Sequence, residues 1–188
     1  MVTQRPLEPL IQVRILAPQL SKISMPECIF CNIIKNKIDS AKIWENDEFL
    51  AILDIAPNTK GMTLVLTKEH YDSYVFNMPK DKYTRLMQAA RHVAKILEKG
   101  LNVKRVAMVM EGMGVNHAHI KLYPLHGVGA KFREIWAKEK VFFEKYEGYI
   151  STQTGPKVNI KKLKKLAQQI KRKATLTRRK KCNIHGRE

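Results

Sequence analysis

The chain has 188 residues, which is enough for one domain with a hydrophobic core of ordinary size. No apolar run approaches the ~20 residues that span a bilayer, and no secretory signal is visible, so the sequence predicts no membrane protein. The net charge of +18 is uneven. Residues 151–188 hold thirteen Lys/Arg and one Asp/Glu, whereas residues 25–150 hold nineteen and fifteen. We therefore predict an extension (1–24), a domain (25–150) and a basic tail (151–188).

The three cysteines are Cys28, Cys31 and Cys182. An odd number argues against a disulfide framework and favours a reducing compartment, so we expect a cytoplasmic protein. The extension is weakly typical of a mitochondrial presequence, which is the alternative, although its prolines and its shortage of serine argue against this. Cys28 and Cys31 form a C-x-x-C pair in a predicted helical turn within residues 26–37. Such a pair suits zinc, but it is also compatible with a redox motif or with two small buried residues.

The centre of the chain alternates between strand and turn signals. Apolar runs predict strands at 42–45, 49–54, 62–66 and 103–110, separated by turn compositions. Residues 79–99 have apolar side chains at i, i+3 and i+4, which predicts a long helix that ends at Gly100. His92 lies off the apolar stripe and is expected at the surface.

Residues 115–124 predict a further strand with two unlike faces. Residues 117, 119 and 121 share one face, which carries two histidines and a lysine, while Ala118, Ile120 and Leu122 point to the core. Pro124 ends the strand. Two imidazoles and an ammonium on one face suit a phosphate site, although a solvated polar face is the alternative.

After Pro124 the sequence predicts a loop plus a short helix that wraps the domain, and then a basic amphipathic helix at 160–170. Residues 171–188 have little that could pack, and we expect them to be disordered alone. The charge of residues 157–187 predicts binding to RNA, DNA or another polyanion, although a solvated extension without a role is the alternative.

The segment from His117 to Pro124, HAHIKLYP, resembles the motif of the histidine-triad family of nucleotide hydrolases and transferases. Members of its zinc-carrying branch also begin with a C-I-F-C-like segment, which this chain has at residues 28–31, and place a histidine after the third strand, as His70 stands here. The resemblance covers residues 27–127. It implies an α+β fold with an antiparallel sheet of about five strands and one long helix, and a domain that pairs as a homodimer.

The same resemblance implies a structural zinc site made of Cys28, Cys31, His70 and His117. Four protein ligands leave no open position, so this zinc would join the N-terminal knuckle to distant strands. The alternative is that the four residues lie close together without metal.

For the reaction, the resemblance implies that His119 is the nucleophile, which attacks the α-phosphorus of a nucleoside phosphoester, anhydride or phosphoramidate. Asp54 would accept from the ribose hydroxyls, or else only cap a turn. The base pocket would be lined by Ile55 and Phe30, with Ile52 as a further candidate, and the phosphate would meet the backbone at Gly112 and Gly114.

The sequence departs from the family pattern in two features. Lys121 stands in place of the third histidine, and Met113 and Gly114 occupy the place of a common Gln-Ser pair. A lysine ammonium neutralises phosphate charge but shuttles protons poorly near neutral pH. We therefore expect an enzyme that cleaves dinucleoside polyphosphates or adenylyl amines; the alternative is a nucleotide-binding domain whose basic tail binds nucleic acid or a ribonucleoprotein.

Overall fold

A computed structural model describes residues 28–148 and 150–184. The predicted extension at 1–24 lies outside the described residues. In chain order the elements are α1 (Ile29–Ile34), β1 (Lys42–Glu45), β2 (Phe49–Leu53), β3 (Thr63–Thr67), a 3₁₀ turn (Val75–Asn77), α2 (Lys80–Leu101), β4 (Val106–Val109), β5 (His119–Pro124) and α3 (Ile160–Ile184).

The five strands form one antiparallel sheet in the order β1-β2-β3-β5-β4. The predicted α+β class with five antiparallel strands is therefore confirmed. β4 and β5 are shorter than predicted, because residues 110–118 form a loop between them. His117 thus lies two residues before β5 rather than within it.

Both faces of the sheet are covered, which is why β2 and β3 are buried along their whole length. Successive side chains point to opposite faces of a strand. Ala51 and Leu53 accordingly join the main core under α2, while Leu50 and Ile52 join a smaller core under α1. His119 pairs with Leu66, which belongs to the smaller core, so the candidate site lies on the α1 face.

The helix α2 continues past the predicted stop at Gly100. It ends at Leu101, and Asn102 takes the left-handed conformation (φ 55°) that commonly closes a helix. Gly100 serves packing instead, since a Cβ there would lie 2.7 Å from the Ile170 carbonyl oxygen. The prediction of His92 at the surface is confirmed.

The C-terminal part differs from the prediction in two ways. Residues 125–148 contain no helix, and their side chains include the highly exposed Phe132 and Trp136. The amphipathic helix, predicted to end at Ile170, extends to Ile184, so the prediction of disorder was wrong for 171–184; residues 185–188 lie outside the described part. Lys, Arg, Ala and Leu are good helix formers, and propagating an existing helix adds one hydrogen bond for each residue fixed.

The first half of α3 belongs to the domain core. Leu163, Ala167 and Ile170 are buried in the main core, and α3 contacts α2 and β1. Within residues 28–148 and 150–184, no helix is both long and apolar enough to cross a bilayer.

Candidate active site and metal cluster

Four side chains from distant parts of the chain converge at the N-terminus of α1. Cys28 and Cys31 flank the first turn of this helix, while His70 follows β3 and His117 precedes β5. Their ligand atoms all lie within 4.8 Å of one another. The sequence-predicted set is thus brought together.

The spacing of these atoms suits a tetrahedral metal. Cys28 Sγ and Cys31 Sγ lie 3.5 and 3.6 Å from His117 Nδ1, Cys31 Sγ lies 3.4 Å from His70 Nδ1, and the two imidazole nitrogens are 3.2 Å apart. Zinc bonds of about 2.3 Å to sulfur and 2.0 Å to nitrogen place tetrahedral ligands about 3.3–3.8 Å apart. The donor set and its geometry therefore both fit zinc.

Thr67 fixes the orientation of the most deeply buried candidate ligand. His117 is fully buried, and its Nε2 donates to the Thr67 carbonyl oxygen at 2.7 Å. This hydrogen bond leaves the lone pair on Nδ1, which faces the cysteines, as is usual for a histidine that binds metal. Burial also lowers the pKa of His117, which keeps the imidazole neutral.

In His119 the roles of the two ring nitrogens are the reverse of those in His117. Its Nδ1 donates to the His117 carbonyl oxygen at 2.7 Å, so the lone pair lies on Nε2. Phe30 packs edge-on against the imidazole ring, with centroids 5.3 Å apart. Burial lowers the pKa of His119, and the charge of Lys121 lowers it further. A neutral imidazole with a fixed tautomer is a competent nucleophile near neutral pH.

Two other predicted nucleotide-binding residues, Asp54 and Ile55, differ in their exposure to solvent. Asp54 is buried and close enough to His119 to interact with it electrostatically, and its Oδ1 also accepts from the Ala56 N–H at 2.8 Å, so it does cap a turn. Ile55, in contrast, is 53% exposed. Asp54 thus lies near His119, while Ile55 is open to solvent.

The two glycines have different surroundings. Gly112 has a positive φ of 74°, and a Cβ there would lie 2.7 Å from the Ser73 carbonyl oxygen. Its need for glycine is therefore explained by the turn and by this close approach. Gly114 has open space around it.

A polar network on the far side of His119 was not predicted from the sequence. The Lys121 ammonium donates to the Ser151 carbonyl oxygen at 2.7 Å, and the Tyr123 hydroxyl donates to the same oxygen at 3.3 Å. The Ser151 N–H donates to Glu111 Oε2 at 2.7 Å, and the Ser151 hydroxyl donates to that oxygen too. Tyr123 could have been found from the alternation that gave Lys121; no sequence signal links Ser151 to Glu111.

Comparison with known proteins identifies the class first. The fold is the HIT-like α+β fold: a histidine triad protein of Sulfolobus tokodaii superposes with a TM-score of 0.60 over 81% of this chain and 95% of its own, at 20% identity. A zinc-bound histidine triad protein of Mycobacterium smegmatis gives 0.57 over 80% and 95%, also at 20% identity.

Sequence relatives then give the family. The HIT domain model matches residues 35–127. A HIT-like protein of Methanocaldococcus jannaschii is 34% identical over 115 residues, which are 57% of this chain and 88% of that protein. The adenosine 5'-monophosphoramidase of Saccharomyces cerevisiae is 31% identical over 147 residues, which are 74% and 90% of the two chains. The chain belongs to the HIT family.

Proposed function

We propose that the protein is a HIT-family nucleotide hydrolase or nucleotidyl transferase that works through a nucleotidyl-histidine intermediate on His119. The observation that carries this proposal is the hydrogen bond from His119 Nδ1 to the His117 carbonyl oxygen, which leaves the nucleophilic lone pair on Nε2. Relatives include a named adenosine 5'-monophosphoramidase, which supports a nucleotide substrate.

In the proposed reaction, Nε2 attacks the α-phosphorus of a nucleoside phosphoanhydride or phosphoramidate, and the leaving group departs. Water then cleaves the P–N bond and releases the nucleotide. Asp54 would bind the ribose hydroxyls through its free edge, and Phe30 and Ile55 would contact the base. Lys121, together with backbone amides at Gly112 and Gly114, would meet the charge on the phosphate.

We further propose that Cys28, Cys31, His70 and His117 hold a structural zinc ion. When bound, the ion supplies cross-linking and no chemistry on the substrate, because all four positions are taken by protein ligands. The residues of the cluster then hold the His117 backbone, whose carbonyl orients His119. Native mass spectrometry with and without chelator tests this proposal by the mass and stoichiometry of the bound metal.

The test of the enzyme proposal is turnover of diadenosine tetraphosphate and adenosine phosphoramidate by the wild type and by His119→Ala, with quenched samples examined for an adenylylated His119 peptide. We expect turnover that falls by at least about 10³-fold in the variant. His126→Ala is the matched control, since His126 is an exposed histidine whose Nε2 is hydrogen-bonded to the Lys60 carbonyl oxygen. Equal turnover by His119→Ala and the wild type would contradict the proposal.

A second candidate function is binding of a nucleic acid duplex by α3. In the first half of α3 the apolar stripe is buried in the core, so the basic residues there face outward; among the side chains of α3 that the structure describes, the exposed basic ones are Lys161, Lys162, Lys165, Lys171, Arg172 and Lys173. A helix whose apolar face is already covered has little to insert into a membrane, whereas its ammonium groups can still meet phosphates. The observations therefore favour nucleic acid over an anionic lipid surface.

Point variants test this candidate better than truncation, because removing α3 would also remove Leu163, Ala167 and Ile170 from the core. A triple variant with glutamine at positions 161, 162 and 165 should lower duplex affinity and reduce the slope of log affinity against log salt by about 0.9 for each lost contact. The matched control neutralises three exposed lysines elsewhere, Lys60, Lys80 and Lys104. Equal losses in both triples would mean a net-charge effect and no binding face on α3.

We also propose a homodimer that pairs through the sheet, and a reducing, cytoplasmic or mitochondrial compartment. β4 stands at one edge of the sheet, and its residue Met108 is exposed. Unpaired strand edges commonly mediate association. Light scattering should give twice the chain mass of 21.7 kDa, and a lysine at Met108 should shift the mass toward that of the monomer.

A further inference from the structure

A segment that follows the family-matched region closes one side of the candidate site. We call residues 151–158 the strap. At its first end, Ser151 is only 2% exposed and bridges Glu111 to Lys121: its N–H and hydroxyl donate to the carboxylate, and its carbonyl accepts from the ammonium. Thr152 lies beside the same carboxylate, with Oγ1 3.5 Å from Glu111 Oε1.

The other end of the strap is fixed to the loop that follows Asp54. The Gly155 N–H donates to the Ala56 carbonyl oxygen at 3.0 Å, and the Val158 N–H donates to that of Ile55 at 2.8 Å. The Asn58 side chain donates to the Gln153 carbonyl oxygen at 3.1 Å. The strap therefore links the loop beside the candidate ribose carboxylate to the lysine beside His119.

This arrangement restricts a side chain that would otherwise be mobile. A lysine carries four side-chain torsions and three N–H donors, and fixing it in one position costs conformational entropy. The Ser151 carbonyl engages one donor of Lys121, so two remain for a ligand. Lys121, Asp54 and Glu111 all act electrostatically on His119, which means that these charges surround the same small region.

An ammonium group at this position helps some leaving groups to depart more than others. A P–N bond to an amine breaks well only when the departing nitrogen receives a proton, and a lysine ammonium is a weak acid near neutral pH. A P–O bond of an anhydride breaks without proton transfer, because the charge is delocalised over the departing phosphate. A fixed positive charge stabilises that anion as it forms.

We propose that Lys121, positioned by Glu111 and Ser151, makes this site selective for substrates whose leaving group is an anionic phosphate, such as dinucleoside polyphosphates, over phosphoramidates. This inference rests on the proposed hydrolase function and specifies its substrate class. In the first step, the Nε2 lone pair of His119 forms the P–N bond while the P–O bond to the next phosphoryl group breaks. The electron pair of the broken P–O bond stays on the departing oxygen beside Lys121, and no proton is transferred.

In the second step, water attacks the phosphorus, the P–N electron pair returns to Nε2, and the proton lost by the water passes to solvent. Lys121 and Tyr123 lie on the same side of β5 as His119, since alternate residues of a strand share a face. Lys121 would touch the departing phosphate, whereas Glu111 and Ser151 act through Lys121 and are positioning residues.

The test compares kcat/KM for diadenosine tetraphosphate and adenosine phosphoramidate, using the full chain with its metal. We expect the wild type to prefer the tetraphosphate. Lys121→His supplies a proton donor of nearly neutral pKa and should shift the ratio toward the phosphoramidate by at least about tenfold. Lys121→Met should lower kcat on the tetraphosphate by about 10²-fold. Lys104→Met, at an exposed lysine outside α3 and outside the candidate site, is the matched control.

The positioning role is tested by Glu111→Ala and Glu111→Gln. Glutamine keeps an oxygen that can accept from the Ser151 N–H and hydroxyl, so it should restore much of the kcat on the tetraphosphate that alanine loses, with KM little changed. A purely structural role would lower turnover of both substrates equally and leave their ratio unchanged, which would overturn the role given to Glu111. Thermal unfolding of each variant verifies that it is folded.

The outcomes separate the two proposals. A wild type that prefers the phosphoramidate, or a ratio that Lys121→His does not move, would overturn the leaving-group inference and leave the hydrolase proposal standing. A folded wild type that turns over neither substrate would overturn the hydrolase proposal and the inference with it.

Discussion

The two sides of His119 are built in different ways. On one side, the metal cluster gathers two cysteines and two histidines whose residue types alone indicate zinc. On the other, Lys121 is held by a backbone carbonyl of Ser151, and any residue type at position 151 would provide that carbonyl. The first side is therefore visible in the sequence, whereas the second is created by the path of the chain.

The largest effect on stability is expected when one residue of the candidate metal cluster is removed. His70→Ala should lower the free energy of unfolding by about 4 kcal/mol or more, or about 8–16 °C in Tm, because the proposed structural zinc site would lose a ligand. Without metal, an exposed histidine such as His70 would cost less than about 0.5 kcal/mol. Thermal unfolding with and without chelator measures the loss.

His92→Ala is the control for that measurement, since His92 is also an exposed histidine and lies against Trp44, with ring centroids 5.1 Å apart. If the two variants unfold at the same temperature, and chelator changes neither them nor the wild type, the cluster contributes no metal-dependent stability.

An intermediate effect is expected when the strap is displaced. In Gly155→Ala, the new Cβ would lie 2.2 Å from the Pro57 carbonyl oxygen, so the strap has to shift away from that loop. We expect a loss of about 1–3 kcal/mol in the free energy of unfolding, together with reduced turnover of diadenosine tetraphosphate. Denaturant unfolding and steady-state kinetics on the same preparation measure the two effects.

Gly129→Ala is the matched variant, because a Cβ at Gly129 would have nothing within 4 Å. A Gly155→Ala protein that matches it in both stability and kinetics would show that the strap tolerates displacement and does not hold Lys121.

The smallest effect is expected at the ion pairs of Glu48, which belong neither to the metal cluster nor to the network around Lys121. Glu48 accepts from Lys82 and Arg85, and the hydrogen bond from Lys82 is the largest cause of its lowered pKa. A carboxyl whose folded pKa is lowered stabilises the protein above its unfolded pKa of about 4.5, and this contribution is lost as the pH falls through the lower, folded value. The stability difference between the wild type and Glu48→Gln should therefore shrink in acid.

Denaturant midpoints of both proteins between pH 6 and pH 3 measure this difference, in which any metal contribution common to the two proteins cancels. Glu139→Gln, at an exposed glutamate of the segment 125–148, should show no such trend. A difference that grows as the pH falls would mean that the sign is wrong.

Prediction from sequence succeeded where the information is local. The alternation of residues 118–122 gave the buried face of β5, and the apolar periodicity of residues 79–99 gave most of α2. The end of α2 was wrong because Gly100 carries a typical stop signal, yet its lack of a side chain is used by Ile170 of α3. A helix–helix approach of this kind has no local signature.

In the candidate site, too, the residues with a local sequence signal were predicted and those brought together only by the fold were not. The candidate ligands Cys28 and Cys31 form a local motif, and the resemblance to the histidine-triad family supplied His70, His117 and His119. Ser151 is forty residues from Glu111 and thirty from Lys121, so only the fold brings them together. The long α3 was missed because its outer half is too polar to indicate a packed helix, although its residues favour one.

The sequence distance between the proposed metal ligands has a consequence for folding kinetics. Cys28 and His117 are 89 residues apart, and the complete set also needs the pairing of β3 with β5, which places His117 beside His70. The entropy lost in closing a loop of that length is recovered only late in folding, so the complete ligand set forms near the end of the process. Added zinc should therefore slow unfolding while leaving the rate of refolding almost unchanged.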